Sequence, residues 1–600
     1  MCGIVTIFSY DKDARPVDQV ELLRMRERMT PRGPDGCGLW ISDNRNVGLA
    51  HRRLSIIDLS ATGAQPMASV DGSVVICFNG EIYNYRELRA SLKKQGCQFN
   101  STSDTEVLLQ LYAQKGMEMV HDLRGMYAFA LWDERQQTMF LVRDPYGIKP
   151  LYFADDGKTI RAASQVKALL AGGQIDTTPE PAGHAGFFLW GHVPEPYTLY
   201  KGIRALKPGS ILKIKRTEYR VSRPLSRIFC SIPEELAKAS NADICIDAPE
   251  ALKTLGEALR DTVRAHLVAD VPVGVFLSSG LDSTTIAALA TEVGAELHTV
   301  TLGFEEYRGT HNDEVPMAEE VARQYGAEHQ TVWITKDEFR AEYNNILDAM
   351  DQPTIDGVNS YFVSMAARKA GLKVALSGLG ADELFGGYPS FHEIPKSVRT
   401  FGWAKKMLWL GKGLRRCSAP LAARFSSPKY ASVFEYGGSF CGAYLLRRGL
   451  YMPWELPQVL DPEKAKEGLA ELQTMQHLRA VEREIASAYG KVSALETTWY
   501  MRNQLLRDSD WASMAHSLEV RVPFVDLQLL RTVAPLMQSL GLTGKQAMAR
   551  STFKHLPDAI LNRSKTGFTV PVRQWLLDDK NSAERGLRGW ANTVYKEVVS

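Results

Sequence analysis

The second residue of the chain is a cysteine in a position that suits nucleophilic chemistry. The sequence opens MCGIVTIF, and a small second residue allows Met1 to be removed, which leaves Cys2 with a thiol and a free α-amine. The amine has an ordinary pKa of about 8 and the thiol one of about 8.5, so a proton can pass between them near neutral pH. An N-terminal nucleophile can therefore be activated by its own amine, directly or through water. The alternative is a buried cysteine that serves only as a small apolar side chain.

A second stretch has the composition of a phosphate-binding turn. The residues VGVFLSSGLDSTT (273–285) place small side chains where a strand should turn into a helix. Such a turn exposes backbone N–H groups at a helix N-terminus, and these can hold phosphate oxygens. No GK[ST] follows, so the stretch is not a Walker A loop. The alternative is a plain strand–turn–helix connection.

The elements that carry Cys2 should form an antiparallel sheet structure over residues 1–216. Runs such as GIVTIF, VVICFNGEIY, MYAFALWD, TMFLVRD and GSILKIK are short, alternating or β-branched, and broken by Gly, Asp and Asn, as is typical of strands. RELRASLKKQG (86–96) and DTEVLLQLYAQKG (104–116) have helical periodicity and glycine stops. The polar, weakly patterned segment 217–249 is predicted to be a linker.

The elements that carry the phosphate-binding turn belong to a different pattern, which begins at residue 250. Strand signals such as DVPVGVFL, LHTVTLGF and HQTVWI alternate with helical segments such as VPMAEEVARQYG. This alternation predicts an α/β domain with a doubly wound parallel sheet over residues 250–600. Beyond about residue 390 the pattern is mostly helical and poor in strand signals.

The composition is that of an ordinary globular protein with more than one domain. The chain has 600 residues, too many for one core, and its net charge of +2 gives no support to nucleic-acid binding. No apolar run reaches the ~18 residues of a membrane span, and the start lacks the features of a signal peptide. The eight cysteines include no CxxC pair and no zinc spacing. We therefore expect free thiols in a reducing compartment, the cytoplasm.

Several motifs follow one another through the first domain. They are MCGI at the start, RGPDG (32–36), HRRLSIID (51–58), FNGEIYNY (78–85), SDTE (103–106), and then LRGMYAFALWD and RDPYGIKPLY. By these motifs and their order, residues 1–216 resemble the class II glutamine amidotransferases, whose α+β fold is that of the N-terminal-nucleophile hydrolases, with antiparallel sheets sandwiched by helices. The resemblance implies that glutamine is hydrolysed to glutamate and ammonia through a thioester on Cys2.

The resemblance also assigns roles to the residues around Cys2. Arg53 would bind the α-carboxylate of glutamine, which a guanidinium fork suits, while Glu81 and Asp104 would bind the α-ammonium. The Asn79 side chain and the Gly80 N–H would form the oxyanion hole. Each residue has a structural alternative: Arg53 as a surface charge, Asn79-Gly80 as a hairpin turn, and Asp104 as a helix N-cap.

Four motifs lie in the second domain: SSGLDS (278–283), LSGLGADELFGGY (376–388), MAHSLEVRVPFVD (514–526) and RSKTGF (563–568). By these motifs the domain resembles the ATP-pyrophosphatase domain of asparagine synthetases. SSGLDS is similar to the pyrophosphate loop SGGLDS, with Ser279 in place of a glycine, and LSGLGADELFGGY is similar to the matching loop of the synthetases. A serine at position 279 is tolerable unless the backbone there needs a positive φ.

This second resemblance implies an ATP site with bound Mg²⁺. Two carboxylates, Asp282 and Asp382, would hold the metal ion beside the pyrophosphate. Lys565 would neutralise charge on the departing pyrophosphate, or it is a solvated surface lysine. The residues implied to contact ATP or pyrophosphate are Leu277, Ser278, Ser279, Gly280, Asp282, Ser283, Leu302, Ser377, Gly378 and Lys565.

The whole chain thus resembles glutamine-hydrolysing asparagine synthetases. The implied substrates are glutamine, ATP and a carboxylate, aspartate in the type case, and the implied products are an amide, AMP and pyrophosphate. One departure concerns the loop S-G-x-G-x-D-E, where the synthetases usually carry an acidic residue and this chain has Leu379. Leucine can neither take a proton nor orient Mg²⁺, so either another group such as Glu383 covers the role or the acceptor differs. The segment MDQPTIDGVNSYFVS (350–364), near the expected acceptor site, also fits only loosely.

Three functions are therefore open from the sequence. The first is asparagine synthesis from aspartate. The second is the same machinery acting on another carboxylate, such as a sugar uronate or a secondary-metabolite acid. The third is a non-catalytic regulatory protein, which the presence of Cys2, Asn79, Asp282 and Asp382 makes the weakest. No nucleic acid and no membrane span are expected, and a homodimer is left open as the assembly.

Overall fold

Three β-sheets organise the structure, which is a computed structural model. It describes residues 2–216, 224–241, 247–407, 411–416, 427–538, 544–563, 575 and 586–599. Two of the sheets are antiparallel and belong to the first part of the chain, and the third is parallel and belongs to the second part.

The first part contains two six-stranded antiparallel sheets. The strand orders are β10-β8-β9-β1-β3-β2 and β12-β11-β7-β6-β5-β4. The strands are β1 (Gly3–Ser9), β2 (Gly36–Ile41), β3 (Val47–Arg53), β4 (Met67–Ala68), β5 (Val74–Ile82), β6 (Gly125–Asp133), β7 (Thr138–Arg143), β8 (Tyr152–Asp155), β9 (Thr159–Ala163), β10 (Arg204–Ala205), β11 (Ser210–Lys215) and β12 (Leu225–Ile228).

The two sheets pack face to face, and helices cover their outer faces. The helices are α1 (Gln19–Glu27), α2 (Tyr85–Lys94), α3 (Asp104–Lys115), α4 (Val166–Gly172) and α5 (Pro181–Trp190). Alternate side chains of β1 and β6 meet between the sheets, where the rings of Phe8 and Trp132 lie 5.0 Å apart. Helices α1 and α4 pack on the first sheet and α2 and α3 on the second. This confirms the predicted antiparallel sheets sandwiched by helices.

The second part contains a five-stranded parallel sheet of order β15-β14-β13-β16-β17. Its strands are β13 (Val273–Phe276), β14 (His298–Phe304), β15 (Glu328–Ile334), β16 (Val374–Leu376) and β17 (Glu519–Arg521). The strand order reverses between β13 and β16. Such a switch point opens a crevice at the carboxyl ends of the two strands, where ligands of doubly wound sheets bind. The two predicted nucleotide loops, 278–283 and 376–388, begin at this crevice.

Helices surround the parallel sheet and make up most of the chain beyond residue 390. They are α6 (Ile232–Ser240), α7 (Ala248–His266), α8 (Leu281–Glu292), α9 (Val315–Tyr325), α10 (Lys336–Ala349), α11 (Val358–Lys369), α12 (Ala381–Phe385) and α13 (Ser390–Phe401). Later helices span Val433–Tyr436, Phe440–Arg448, Pro462–Leu472, Thr474–Glu482, Ala488–Leu495, Arg507–Met514, Leu527–Val533, Gly544–Arg550, Asp558–Leu561 and Leu587–Val599, with a π-helix at Glu496–Leu506. No described helix is long and apolar enough to span a membrane.

Two segments carry more regular structure than the sequence pattern indicated. The predicted linker, 217–249, holds β12 and α6 in its described part. The helical region beyond 390 contributes β17, which pairs with β16 and completes the parallel sheet. Three residues are too few for the period-2 pattern of a strand to be recognised in a helical context. The six cysteines within the described ranges are free thiols, as expected.

The two parts of the chain share a tightly packed interface. Helix α5 lies against the helix Pro462–Leu472, where Gly468 approaches so closely that a Cβ there would be 2.2 Å from the carbonyl oxygen of Pro181. Apolar side chains of both parts form one continuous core. The interface therefore fixes the two predicted catalytic regions relative to each other.

Two candidate catalytic sites

Cys2 lies where the two antiparallel sheets of the first domain meet. It directly precedes β1 of the first sheet, and its backbone nitrogen donates to Oδ1 of Asn79 on β5 of the second sheet, at 2.9 Å. In a chain without Met1 this nitrogen is the α-amine, so the Asn79 side chain fixes the predicted base. Burial raises the pKa of the Cys2 thiol, so the thiol needs a base close by to react near neutral pH.

Asn79 and Gly80 are the two residues predicted to form the oxyanion hole. They lie inside β5, paired with β6, so they are not a hairpin turn. The Nδ2 group of Asn79 is buried and has no hydrogen-bond partner among the described residues, which leaves it available to a substrate oxygen. Gly80 has φ +152°, and a Cβ there would lie 2.1 Å from the carbonyl oxygen of Met126, so only glycine fits.

Glu81 and Asp104 are two buried carboxyls beside this site. Asp104 is the first residue of α3, and its Oδ2 accepts a hydrogen bond from the Ile82 N–H at 3.1 Å; the N-cap is Ser103. Burial raises the pKa of Asp104 to about 6, and burial together with Glu519 raises that of Glu81. A positively charged ligand would lower both pKa values, so the pair suits the α-ammonium of glutamine.

The guanidinium of Arg53 is held by the loop that follows β3. It donates to the carbonyl oxygens of Ser60 at 2.9 Å, of Ile57 at 3.4 Å and of Asp58. Arg53 is therefore not a freely solvated surface charge. Its predicted contact with the carboxylate of glutamine stays a prediction.

Two residues of the second domain, Glu519 and Arg521, lie beside these carboxyls, and no sequence pattern pointed to either of them. Arg521 of β17 is fully buried; its Nε donates to Glu519 at 2.6 Å, and its Nη2 lies 3.6 Å from Oε2 of Glu81. Its Nη1 donates to the carbonyl oxygens of His266 and Val268. The segment 514–526 was noted as a family motif, but only the fold places it against Glu81.

A buried ion pair ties the nucleophile itself to the second domain. Arg32 of the RGPDG motif donates from Nε to the carbonyl oxygen of Cys2 at 3.1 Å. Its two Nη groups donate to Asp510, at 2.6 and 3.1 Å, and both side chains are almost completely buried. Such a bidentate pair fixes direction as well as distance. Asp510 therefore positions Arg32, and through it the backbone of Cys2.

We expect Asp510→Asn to slow glutamine hydrolysis without abolishing it. The substitution leaves the buried guanidinium of Arg32 without its counter-charge. The hydrogen bond from Arg32 to the carbonyl oxygen of Cys2 is then held less firmly in position. The free energy of unfolding should fall by about 3 kcal/mol and glutaminase kcat/KM by roughly tenfold. Steady-state glutamate release and a thermal melt measure the two effects.

A matched control for this variant is Lys373→Met, which removes a half-exposed ion pair across the same interface, Lys373–Asp35 at 2.8 Å. Exposed pairs contribute little, so this variant should hydrolyse glutamine almost normally. Equal losses in the two variants would show that Asp510 does no more than hold the domains together.

The second site lies at the switch point of the parallel sheet. The loop after β13 runs into α8, and its hydroxyls bond one another: Ser278 Oγ lies 3.0 Å from Ser283 Oγ, which accepts from the Ser278 N–H at 3.1 Å. Ser279 is buried, its φ is not positive, and its hydroxyl has no partner among the described residues. The serine is therefore accommodated, and the loop presents polar groups at a helix N-terminus, as phosphate binding requires.

The structure brings the two predicted nucleotide loops into contact. A Cβ on Gly378 would lie 2.8 Å from Cβ of Asp282, so this glycine permits the approach. Ser377 is tied to β17 through its N–H, which donates to the carbonyl oxygen of Arg521 at 2.8 Å. Leu277 and Leu302 are both buried, and the hydroxyl of Thr301 donates to the Leu277 carbonyl oxygen.

Asp282 and Asp382 converge on one cationic group, Lys545. Its Nζ is 2.9 Å from Oδ1 of Asp382 and also contacts Oδ1 of Asp282. Burial opposes the charge of Lys545, but the two carboxylates outweigh it and raise the lysine pKa. No cluster of three or more His, Cys, Asp or Glu side chains within the described ranges could hold a metal ion. The two carboxylates nevertheless share one cation, and their oxygens are the donors that Mg²⁺ prefers.

Lys545 was not found from the sequence because a lone lysine carries no pattern. The predicted Lys565 lies outside the described residues.

A buried carboxyl, Glu383, directly follows Asp382 in α12. Leu379 is half-buried, and its N–H donates to the Ser377 hydroxyl at 3.4 Å. Glu383 is 2% exposed; its Oε1 accepts from the Tyr388 hydroxyl at 3.0 Å, and its Oε2 has no partner among the described residues. Burial, with Asp382 as the next cause, raises the pKa of Glu383 to about 8. The role of Glu383 as a substitute for the acidic residue that Leu379 replaces stays a prediction.

Comparison with known proteins divides the chain in the same way. Residues 1–224 match the family model of the glutamine amidotransferase domain, and residues 254–594 match that of asparagine synthase. The chain is 33% identical to asparagine synthetase [glutamine-hydrolyzing] 1 of Bacillus subtilis, over 100% of this chain and 92% of the relative. It is 34% identical to a putative asparagine synthetase [glutamine-hydrolyzing] of Mycobacterium tuberculosis, over 96% and 88%.

A fungal relative and a solved structure are also similar to parts of the chain. Amidase chry2 of Gibberella zeae is 31% identical over 68% of this chain and 62% of the relative. Glutamine phosphoribosylpyrophosphate amidotransferase from B. subtilis, solved with ADP and GMP, is 18% identical, with a TM-score of 0.31 over 56% of this chain and 91% of that one.

Proposed function

Because the chain belongs to the family of glutamine-hydrolysing asparagine synthetases, an ATP-consuming ligase family, we propose that it makes asparagine from aspartate, glutamine and ATP. Glutamine-dependent, ATP-driven amidation follows from the family, whereas aspartate as the acceptor is our proposal. Full-length similarity to two asparagine synthetases supports it. The free thiols and the reducing compartment they suit favour the cytoplasm as the location.

The observation that carries the proposal is the direct connection between the two sites. The backbone of Cys2 is held by Arg32, which Asp510 of the second domain holds in turn. A second connection runs through the paired strands β16 and β17 of the parallel sheet. Arg521 of β17 lies beside Glu81 of the proposed glutamine site, and β16 leads into the proposed nucleotide loop that contains Asp382. Ammonia is mostly protonated in water at neutral pH, and only the neutral form attacks, so a water-excluded interface between the sites keeps it reactive.

In the first site, we propose that the α-amine of Cys2 takes the proton of the thiol. The thiolate then attacks the side-chain amide carbon of glutamine, and the oxyanion forms beside Nδ2 of Asn79 and the N–H of Gly80. The carbon–nitrogen bond breaks, and the amine returns the proton to the departing nitrogen, which leaves as ammonia. Water hydrolyses the thioester to glutamate and regenerates Cys2. Glu81 and Asp104 hold the α-ammonium, and Arg53 holds the α-carboxylate.

In the second site, we propose that a carboxylate oxygen of the acceptor attacks the α-phosphorus of ATP and pyrophosphate leaves. Asp282 and Asp382 would hold Mg²⁺, which offsets charge on the phosphates when bound. Lys545 contacts the same two carboxylates, and its ammonium group would neutralise negative charge on the pyrophosphate. The other proposed contacts with ATP or pyrophosphate are the residues named from the sequence, Lys565 included.

The last step joins ammonia to the activated acceptor. The nitrogen attacks the acyl-adenylate carbon, AMP departs with the electron pair of the broken carbon–oxygen bond, and the nitrogen loses a proton. Glu383 follows Asp382 directly, and its Oε2 has no partner among the described residues. We therefore assign to Glu383 the proton transfer from the attacking nitrogen, which Leu379 cannot perform.

A second candidate function keeps this machinery and changes the acceptor to another carboxylate, such as a sugar uronate. The observation that favours it is Leu379 in place of the usual acidic residue. Pyrophosphate release, measured with aspartate and with a panel of uronates and other acids, separates the two. We expect aspartate to stimulate release well above the rate without acceptor. Stimulation by a uronate and not by aspartate would establish the second candidate, and stimulation by no acid would contradict both.

A further inference from the structure

Arg507 is a buried arginine with one edge of its guanidinium left without a partner. It begins the helix Arg507–Met514 and is 8% exposed, and its Nη1 donates to the carbonyl oxygen of Val193 at 2.7 Å. Its Nε and Nη2 have no hydrogen-bond acceptor among the described residues. These two nitrogens form the edge of the guanidinium that binds a carboxylate through two parallel hydrogen bonds.

The surroundings of Arg507 belong to the boundary between the two domains. His192 pairs with Thr354 in an isolated β-bridge, and the Ile355 N–H donates to the carbonyl oxygen of Gly191 at 2.9 Å. The segment 350–364, near the expected acceptor site, therefore runs beside residues 191–193, and Val193 of these accepts the hydrogen bond from Arg507. Nε2 of His192 and Oε1 of Gln352 are also buried without partners in the part of the chain that the structure describes. Unmet polar groups gathered in one buried region indicate a ligand or ordered water.

The nearby carboxyls are all engaged by other groups. The pairs are Asp351 with the N–H groups of Val166 and Lys167, Glu195 with Arg143, and Asp508 with Thr354 and Trp511. Burial raises the pKa of Asp508 to about 7, and the charge of Arg507 opposes this shift, although no hydrogen bond joins the two side chains among the described residues. Buried N–H groups without acceptors are costly, and a bound anion would supply the hydrogen bonds that Nε and Nη2 of Arg507 lack.

The acidic residues Asp356 and Asp508 are both hydrogen-bonded to the hydroxyl of Thr354. The backbone at Gly357 approaches Asp508 closely, because a Cβ there would lie 3.1 Å from the Cβ of Asp508, and this places Asp356 beside Asp508. Burial raises the pKa of Asp356 as well, and Asp356 is one cause of the raised pKa of Asp508. Two neighbouring carboxyls with raised pKa values favour a cationic ligand group.

We propose that Arg507 binds the α-carboxylate of an amino-acid acceptor and that Asp356 and Asp508 bind its α-ammonium. This inference rests on the proposed function and names the recognition elements of its acceptor. A guanidinium edge and a carboxyl pair that act on each other in one buried region match the two charges of an amino acid, whereas a uronate carries no ammonium group. The acceptor's side-chain carboxylate is then left free for adenylation.

The test measures acceptor binding separately from turnover. Calorimetry on the full chain without ATP uses three probes: aspartate, succinate and glucuronate. We expect aspartate to bind the unmodified protein, Arg507→Gln to weaken that binding by roughly tenfold or more, and Arg507→Lys to recover part of it. Succinate, which lacks the ammonium group, should bind more weakly, and glucuronate should not respond to the substitution. In Arg507→Gln, the KM for aspartate in pyrophosphate release should rise together with the Kd for aspartate. The rate of glutamine hydrolysis by this variant should stay unchanged.

The matched control is Arg502→Gln, which removes a second guanidinium near the domain boundary, one that donates to the Tyr146 carbonyl oxygen at 3.2 Å. This variant should bind aspartate normally. Unchanged aspartate binding in Arg507→Gln, or an equal loss in Arg502→Gln, would overturn the proposal. If Arg507→Gln fails to fold, aspartate binding by Arg507→Lys decides: weakened binding supports the proposal, and unchanged binding overturns it. If aspartate binds in an Arg507-dependent way but stimulates no pyrophosphate release, the subsite is supported and the proposed function is refuted. If Arg507→Gln releases pyrophosphate normally with aspartate, the proposed function is supported and the subsite is refuted.

Discussion

Replacing Cys2 with alanine is expected to abolish glutamine-dependent amide synthesis while ammonium-dependent synthesis continues. Alanine keeps the α-amine and its bond to Asn79 but removes the sulfur that would form the thioester. Glutamate release should fall by roughly a thousandfold or more, because the proposed thioester cannot form without the Cys2 sulfur. Product amide is measured with glutamine and, separately, with an ammonium salt as the nitrogen source.

The control for this prediction is Cys37→Ala, which removes an exposed free thiol from β2 of the same domain. It should retain both activities. Loss of the ammonium-driven activity in Cys2→Ala would contradict the division of labour between the two sites, provided that the variant melts at the normal temperature.

Replacing Asp282 with asparagine is expected to stop pyrophosphate release and leave much of the glutaminase activity. Asp282 and Asp382 converge on one cationic position, and asparagine cannot supply the second negative charge there. A loss of roughly a hundredfold or more in ATP-dependent turnover is expected, because the charge on the phosphates is then poorly offset. Pyrophosphate and glutamate are measured in parallel on the same preparation.

A suitable control is Asp337→Asn, which changes a carboxylate in the same domain whose side chain is 93% exposed. It should leave both activities unchanged. Normal pyrophosphate release by Asp282→Asn would refute the assigned metal-binding role. A loss of glutamine hydrolysis equal to that of pyrophosphate release would instead mean that the substitution disturbs the whole chain.

The predictable part of both sites is local in sequence. Cys2 is recognisable because its place at the start of the chain gives it an amine, and Asn79-Gly80 because the motif lies in an apolar strand pattern. The loops containing Asp282 and Asp382 follow apolar strands, so the fold class also places them at one edge of a parallel sheet. These residues follow from short-range patterns, and their catalytic roles stay predictions.

The parts that could not be predicted depend on long-range contacts. Lys545, Asp510 and Arg507 are single charged residues in helical segments, and their surroundings come from chain far away in sequence. A buried charge looks like a surface charge in such a pattern, because helical periodicity reports only the apolar face. Arg521 was within a noted motif, but the three-residue strand that carries it gave no signal of its own.

The same limit explains two local details. Asp104 and its neighbour Ser103 are both good N-cap residues, and only the structure shows that Ser103 takes the cap and leaves the Asp104 carboxyl to the site. The dipeptide Asn79-Gly80 is a common hairpin turn, but here the strand continues through it to Ile82.

The central claim is that the working nucleophile is a thiol on the first residue of the mature chain. Mass spectrometry of the N-terminal peptide, on enzyme with full glutamine-dependent activity, tests it most directly. The account predicts a peptide that starts at Cys2 with an unmodified amine. A peptide that still carries Met1 in fully active enzyme would contradict it.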